Sequence, residues 1–163
     1  MPYVRGRERS RKSKDIISEF KQIVDEGYKD ITLLGQNVNS YGKNLNTPIS
    51  FAELLRRVEE IEGLQRIRFM TSHPKDMSNA VLYSMAMYPN ICTHIHLPVQ
   101  SGSDRMLEKM NRKYDTATYL ERIDKIREII PDAAITTDII AGFCSETEED
   151  HEATINLMKN VKK

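Results

Sequence analysis

His96-Leu97-Pro98-Val99-Gln100-Ser101-Gly102-Ser103-Asp104-Arg105 is the stretch whose reading decides the fold. Taken with the residues before it, it begins as a strand. Ile95, Leu97 and Val99 alternate with His94, His96 and Pro98, the period of two expected when one face is buried. A polar turn follows, in which Gly102 is expected to free the backbone for a conformation that a Cβ would resist. Ser103 suits the cap of a helix, and Asp104 falls in its first turn, where the positive end of the helix dipole favours an anion. A strand handing over to a capped helix in this way is half of a βα unit. It delivers polar side chains and spare amide N–H groups to one edge. An ordinary βα loop reads the same in isolation, so the rest of the chain must decide.

Working outward, the pattern recurs. Ile16, Ile17, Phe20, Ile23 and Val24 share a helical face from about Ser13, and Gly27 ends that helix. Ile31, Leu33 and Leu34 form a short apolar strand ending in Gly35-Gln36-Asn37. Ser50 with Glu53 reads as a capping box opening a helix whose apolar face is Phe51, Leu54, Leu55, Val58 and Ile61. Ile67 and Phe69 mark a strand ending in Thr71-Ser72-His73-Pro74, and a helix is expected over Asn79 to Met87. Beyond the opening stretch come a helix through Met110, a longer one from Thr116 to Ile130, and a strand over Ile135 to Phe143. Thr147 with Asp150 is a second capping box, opening the last helix.

Four strands alternating with five or six helices through short connections mean βαβ units, hence an α/β fold with parallel strands and right-handed crossovers. Four strands cannot close a barrel, so an open curved sheet with outer helices is expected. Its exposed edges would invite self-association. Gln36-Asn37, Ser72-His73, Gln100-Ser101 and Asp138 to Gly142 all stand at strand carboxyl ends. That is the edge where parallel α/β folds place their chemistry. Four such clusters argue for one shared site.

At 163 residues the chain is one domain's worth of material, with Lys plus Arg (24) equal to Asp plus Glu (24). That balance excludes a global pull toward nucleic acid or membrane. The first fourteen residues depart from it: Arg5, Arg7, Arg9, Arg11, Lys12 and Lys14 against Glu8 form a basic arm suited to phosphate or an anionic cofactor. Two distant cysteines, Cys92 and Cys144, make neither a disulfide framework nor a metal-ligand cluster, which points to a reducing cytoplasm. No apolar run approaches membrane-spanning length.

His94-x-His96 puts two imidazoles on one strand face, a spacing found among metal ligands. No acidic ligand accompanies them at a neighbouring strand end, and the third histidine in reach is His73. A hydrogen-bonded pair is therefore the expected outcome, with no metal. Asp138 is the sole carboxylate within an apolar strand. It is expected to be buried and to need partners.

Five segments together resemble the radical SAM methylthiotransferases: Pro2-Tyr3-x-Arg5-Gly6 with Ser10-Arg11, Leu34 to Gly42, Arg66 to Pro74, His96 to Arg105, and Asp138-x-Ile140-x-Gly142-Phe143. The nearest branch is the one adding a methylthio group to isopentenylated adenosine in tRNA. The branch that modifies a ribosomal protein, and a non-catalytic RNA-binding α/β module, stand as alternatives. The resemblance implies that residues 1–163 are the central part of a radical SAM barrel, of TIM type, working with S-adenosylmethionine and 4Fe-4S clusters. It implies that Gln36, Ser72, Gln100, Ser101 and Asp138 face the cofactor, with Ile140 and Gly142 shaping the adenine side. Arg5, Arg9 and Arg11 become candidates for the cofactor carboxylate or RNA phosphate. The family's three-cysteine cluster loop lies just upstream of the Pro-Tyr-x-Arg-Gly motif. The chain as given is therefore expected to hold no cluster and to be inactive alone. Cys144-Ser145 stands where the family usually has Pro-Gly, which implies an altered turn.

Overall fold

The computed structural model describes residues 9–35, 37–70 and 73–161; Arg5, Gln36 and Ser72 lie outside them. Helix α1 spans Ser13–Asp25, strand β1 Asp30–Leu33 and helix α2 Phe51–Glu59. Strand β2 spans Arg66–Phe69, helix α3 Asn79–Met87 and strand β3 His94–His96. Helices α4 (Asp104–Lys109) and α5 (Thr116–Ile129) follow, then strand β4 (Ala134–Thr136) and helix α6 (Glu148–Val161). The expected α/β alternation is present.

The strands run parallel in chain order, but their pairing is split. β1 pairs with β2 from Asp30↔Arg66 to Leu33↔Phe69, and β3 pairs with β4 from His94↔Ala134 to His96↔Thr136. Between the two ladders a single parallel bridge, Ile67↔Ile91, carries the sheet across. The Ile67 amide donates to the Asn90 carbonyl at 2.7 Å, and the Cys92 amide to the Ile67 carbonyl at 3.0 Å. Each pairing therefore starts farther along the chain than the one before. Staggered register of this kind accompanies strand tilt in barrel-type sheets.

Alternation then sorts the two faces. Ile31, Ile67, Ile91 and Ile95 are buried beneath the helices. The helices close over them with Phe20, Leu54, Leu55, Val58, Leu82, Met85, Tyr119, Ile123 and Ile126, all in one continuous core. The opposite face is polar. Arg66 and Arg68 donate to Asp30 there, at 2.9 and 3.2 Å, and hold its carboxyl below the ordinary carboxylate range. Ser50 caps α2 by accepting from the Glu53 amide at 3.1 Å. The reciprocal half of that capping box is replaced: the Glu53 carboxylate turns to Arg56 and Arg57, which lower its pKa to about 2. The Thr147–Asp150 box at α6 is complete, with Thr147 N to Asp150 Oδ2 at 2.9 Å and Asp150 N to Thr147 Oγ1 at 3.4 Å.

Two expectations need correction. The apolar run predicts a last strand over Ile135 to Phe143, but the ladder ends at Thr136 and resumes only as a bridge between Gln100 and Ile139. The same run predicts a buried Asp138, yet its side chain is 67% exposed. The reason is topological. β4 has β3 on one side and, among the described residues, no further strand pairs along its other side.

Candidate active site

The site begins with a proline. In a regular parallel ladder, successive donors on one strand are two residues apart. Here the Leu97 amide donates to the Thr136 carbonyl at 2.8 Å, and the next donor to β4's continuation is Gln100, to the Asp138 carbonyl at 2.9 Å. Three steps on one strand match two on the other, which is a bulge. Pro98 has no amide to donate, so it is tolerated where the ladder slips. The Val99 amide, displaced from backbone pairing, donates to the Thr137 hydroxyl at 2.9 Å.

The slip changes the backbone at the next residue. Gln100 adopts φ 72°, a left-handed conformation that disfavours any residue with a Cβ. It is locked on both sides, since the Ile140 amide donates back to the Gln100 carbonyl at 2.9 Å. The expectation placed the unusual backbone at Gly102. Gly102 instead serves close approach: a Cβ there would lie 2.5 Å from the Thr154 Cα and 2.7 Å from the Ala153 carbonyl oxygen.

The strand edge thus brings Gln100, Asp138 and Ile140 together through backbone bonds. Ile140 is 40% exposed. At Gly142 (φ 73°) an added Cβ would meet nothing within 4 Å, so the space beside that backbone is open. Glu146 closes the turn by accepting the amides of Gly142 and Phe143. Ser101 is different. It is 1% exposed, and its hydroxyl lies between the Thr154 hydroxyl (3.3 Å) and the Ser103 amide (3.1 Å), so it shapes the loop from within. Arg9 is exposed, and Arg11 pairs with Glu19 at 2.6 Å. Residues 10 and 11 lie against the turn after β1: the Gly42 amide donates to Ser10 Oγ at 2.9 Å and the Tyr41 hydroxyl to the Arg11 carbonyl at 2.8 Å.

On the polar face below the edge, one hydroxyl serves two imidazoles. Thr136 Oγ1 lies 3.1 Å from His94 Nε2 and 3.1 Å from His96 Nδ1, and His96 Nε2 lies 3.3 Å from Asp138 Oδ2. A hydroxyl has one proton and the Asp138 carboxylate only accepts, so with both rings neutral one order of donors satisfies all three contacts. His96 in its neutral form donates Nε2–H to Asp138 and accepts the Thr136 proton at Nδ1, leaving Thr136 to accept His94 Nε2–H. Among the described residues, no three His, Cys, Asp or Glu side chains converge as metal ligands.

Sequence reasoning missed two supports of this edge and the wider role of a third. Tyr119 donates to the Leu97 carbonyl at 3.1 Å. The Tyr114 hydroxyl reaches the carbonyls of Pro98 (3.2 Å) and Val99 (3.1 Å), while its ring meets His73 edge-on at 5.3 Å. Burial raises the pKa of both tyrosines. The third support is Asp150, 7% exposed, which accepts from Ser103 at 2.5 Å and pairs with Arg105. Arg105, then Ser103 and the Thr147 amide, hold its carboxyl well below the usual carboxylate range. The signal for the tyrosines was Pro98 itself, because a proline within a strand implies displaced backbone groups needing side-chain partners. A separate cleft of about 540 Å³ lies among Asn39, Lys43, Ser50, Asp76 and Arg122. None of Gln100, Asp138, Ile140 and Gly142 lines it.

The chain is 61% identical over 162 residues to the tRNA-2-methylthio-N(6)-dimethylallyladenosine synthase of Clostridium tetani (strain Massachusetts / E88), covering 99% of this chain and 36% of the relative. To the synthase of the same name from Thermoanaerobacter sp. (strain X514) it is 59% identical over 162 residues, covering 99% of this chain and 34% of the relative. The chain therefore spans about a third of the length of the curated relatives it matches. The Radical SAM superfamily pattern matches residues 1–158, a span that takes in β1 to β4 and the whole Gln100–Asp138 edge. The parallel strands, the bulged edge and that match have one reading: the chain belongs to the Radical SAM superfamily.

Proposed function

We propose that this chain is the cofactor-facing central segment of a cytoplasmic tRNA methylthiotransferase, acting on C2 of isopentenylated adenosine in tRNA. What supports the reading is the meeting of Gln100 with the Asp138–Gly142 segment at one carboxyl edge, within a chain 59–61% identical to synthases named for that product. S-adenosylmethionine suits this edge. Its amine and ribose hydroxyls are donors, and Asp138 offers an exposed carboxylate held on one side by His96. Its adenine presents a flat aromatic face, and Ile140 beside the open Gly142 backbone offers a matching surface. Gln100 presents an amide that can donate and accept. When bound, this cofactor supplies the radical precursor and the methyl group of the family's chemistry.

The chain's own residues bind and orient. Gln100 is fixed by two backbone bonds, Asp138 by its carbonyl and by His96, and Ile140 by its amide on Gln100. The Arg9 and Arg11 region adds positive charge near the turn after β1, where a cofactor carboxylate or an RNA phosphate would be drawn. Gln36, Ser72 and Arg5 belong to the same proposal by sequence position. The 4Fe-4S cluster does not fit the described residues: Cys92 is partly buried, Cys144 is exposed, and no third ligand joins either.

The experiment is calorimetric titration of S-adenosylmethionine into the full-length, cluster-loaded protein and its Asp138→Asn variant. Mass spectrometry of isopentenylated tRNA and of ribosomal protein after turnover accompanies it. Weakened cofactor binding and a methylthio group on tRNA alone are expected. Unchanged affinity removes Asp138 from the site, and modification of the protein alone removes the tRNA assignment.

A further inference from the structure

The Gln100 turn is held by residues that are not offered to a ligand. Before it, the bulge at Pro98 leaves carbonyls that face side chains instead of a neighbouring strand, and the single proton of the Tyr114 hydroxyl is shared between those of Pro98 and Val99 at 3.2 and 3.1 Å. After it, α6 arrives. Thr154 Oγ1 donates to the Asp150 carbonyl one turn back at 3.0 Å, which leaves its lone pairs for other donors. The Gly102 amide, at 2.9 Å, and the Ser101 hydroxyl, at 3.3 Å, supply them. Tyr114 is 8% exposed and Thr154 3%, so water has little access to replace either hydroxyl. Between these two contacts sits Gln100, in the left-handed conformation that an unsupported glutamine would leave.

We propose that Tyr114 and Thr154 are positioning residues that clamp the Gln100 turn from its two sides and so hold the Gln100 side chain at the cofactor edge. The clamp rests on the cofactor reading above. It links α6, remote in sequence, to the site. The absence of a Cβ at Gly102 is what lets α6 come close enough, since Thr154 Cα would stand 2.5 Å from one. The ring of Tyr114 also meets His73, four residues beyond β2, so one side chain links the loops that follow β2 and β3.

The test uses the full-length, cluster-loaded protein with Tyr114→Phe, Thr154→Val, Thr154→Ser and Gln100→Ala. Two quantities are read at a temperature where circular dichroism shows every variant folded. They are S-adenosylmethionine affinity and hydrogen exchange at the Gly102 and Ile140 amides. Tyr114→Phe and Thr154→Val should each weaken binding about tenfold and speed exchange at both amides. Thr154→Ser, which keeps the hydroxyl, should stay within about twofold of the parent. If Thr154→Val does not fold, the isosteric Tyr114→Phe carries the test. Equal losses in Thr154→Ser and Thr154→Val would overturn the clamp. So would unchanged affinity in Tyr114→Phe and Thr154→Val while Gln100→Ala weakens binding, and there the cofactor reading survives. Unchanged affinity in Gln100→Ala removes the cofactor reading and the clamp with it.

Discussion

The Gln100 amide donates to the Asp138 carbonyl at 2.9 Å, one residue later than a regular parallel ladder would place that bond. Asp138 is therefore fixed through its main chain, and its carboxylate is left outside, 67% exposed with His96 as its neighbour. Stability should hardly depend on that carboxylate. Asp138→Ala should change the unfolding free energy by less than about 0.5 kcal/mol, since exposed pairs of this kind contribute little. Urea unfolding measures it. A loss of several kcal/mol would mean that the carboxylate is a buried structural acid after all.

Gly102→Ala tests the close approach of α6. The added methyl would meet main-chain atoms of Ala153 and Thr154 at 2.5 to 2.9 Å, and backbone cannot swing aside as a side-chain tip can. Overpacking at such a point costs about 1–3 kcal/mol, and the strain should appear as raised hydrogen exchange along α6. A variant with parental stability and unchanged α6 protection would show that the loop and helix are not in contact.

Much of this is legible in the sequence, for identifiable reasons. The α/β order is readable because Ile16 to Val24, Phe51 to Ile61 and the Ile95-Leu97-Val99 run each keep one period throughout. The caps at Ser50, Ser103 and Thr147 are readable because a capping hydroxyl is a local device. Sequence places Gln100 at the edge but does not reveal its left-handed backbone. That conformation follows from a register slip, and register is a property of two strands. Asp138 reads as interior because its neighbours in sequence are apolar, whereas its exposure depends on which strands flank β4. Asp150, the acid that is buried, reads in the sequence only as the capping-box partner of Thr147. Its partners Ser103 and Arg105 lie 47 and 45 residues away.

The shared hydroxyl of Thr136 makes a spectroscopic prediction. Neutral His94 and His96 should both carry the proton on Nε2, because Asp138 needs a donor at His96 Nε2 and the one Thr136 proton then goes to His96 Nδ1. Long-range nitrogen–proton correlation of the imidazoles reads this directly. Thr136→Val should then mix the tautomers of at least one ring and lower stability by about 1 kcal/mol. Finding Nδ1–H on His96 in the parent protein would reverse the donor order and detach His96 from Asp138.

Ser145, in the Cys144-Ser145 turn, holds φ 66°, a conformation suited to glycine. Its carbonyl accepts from Arg105 at 2.8 Å, and its hydroxyl meets Lys109 at the surface. Relief of the left-handed strain is worth about 1–2 kcal/mol and is partly offset by the greater freedom of glycine in the unfolded chain. Ser145→Gly should therefore raise stability by roughly 0.5–1 kcal/mol, seen as a higher urea midpoint at unchanged slope. A lower midpoint would mean that the Lys109 contact outweighs the strain.

Acid should loosen the same corner of the molecule. Asp150 accepts from Arg105, from Ser103 and from the Thr147 amide, and these hold its folded-state pKa below the ordinary 3.8. A depressed carboxyl pKa stabilises the fold fully above the unfolded value, and that contribution is lost as pH falls through 3.8 toward the folded value. Glu53, lowered from 4.5 to about 2 by Arg56 and Arg57, acts in the same direction over a neighbouring window. Its side chain is 34% exposed against 8% for Asp150, so solvent screens its pairs more. The urea midpoint should accordingly fall between about pH 5 and pH 2.5. Asp150→Asn should be less stable than the parent at neutral pH, and the gap should narrow toward the acid end as the parent loses this contribution, whereas Glu53→Gln should leave most of the slope in place. If Asp150→Asn keeps the parental acid slope, the Arg105–Asp150 pair is not what fastens α6 to the Gln100 loop.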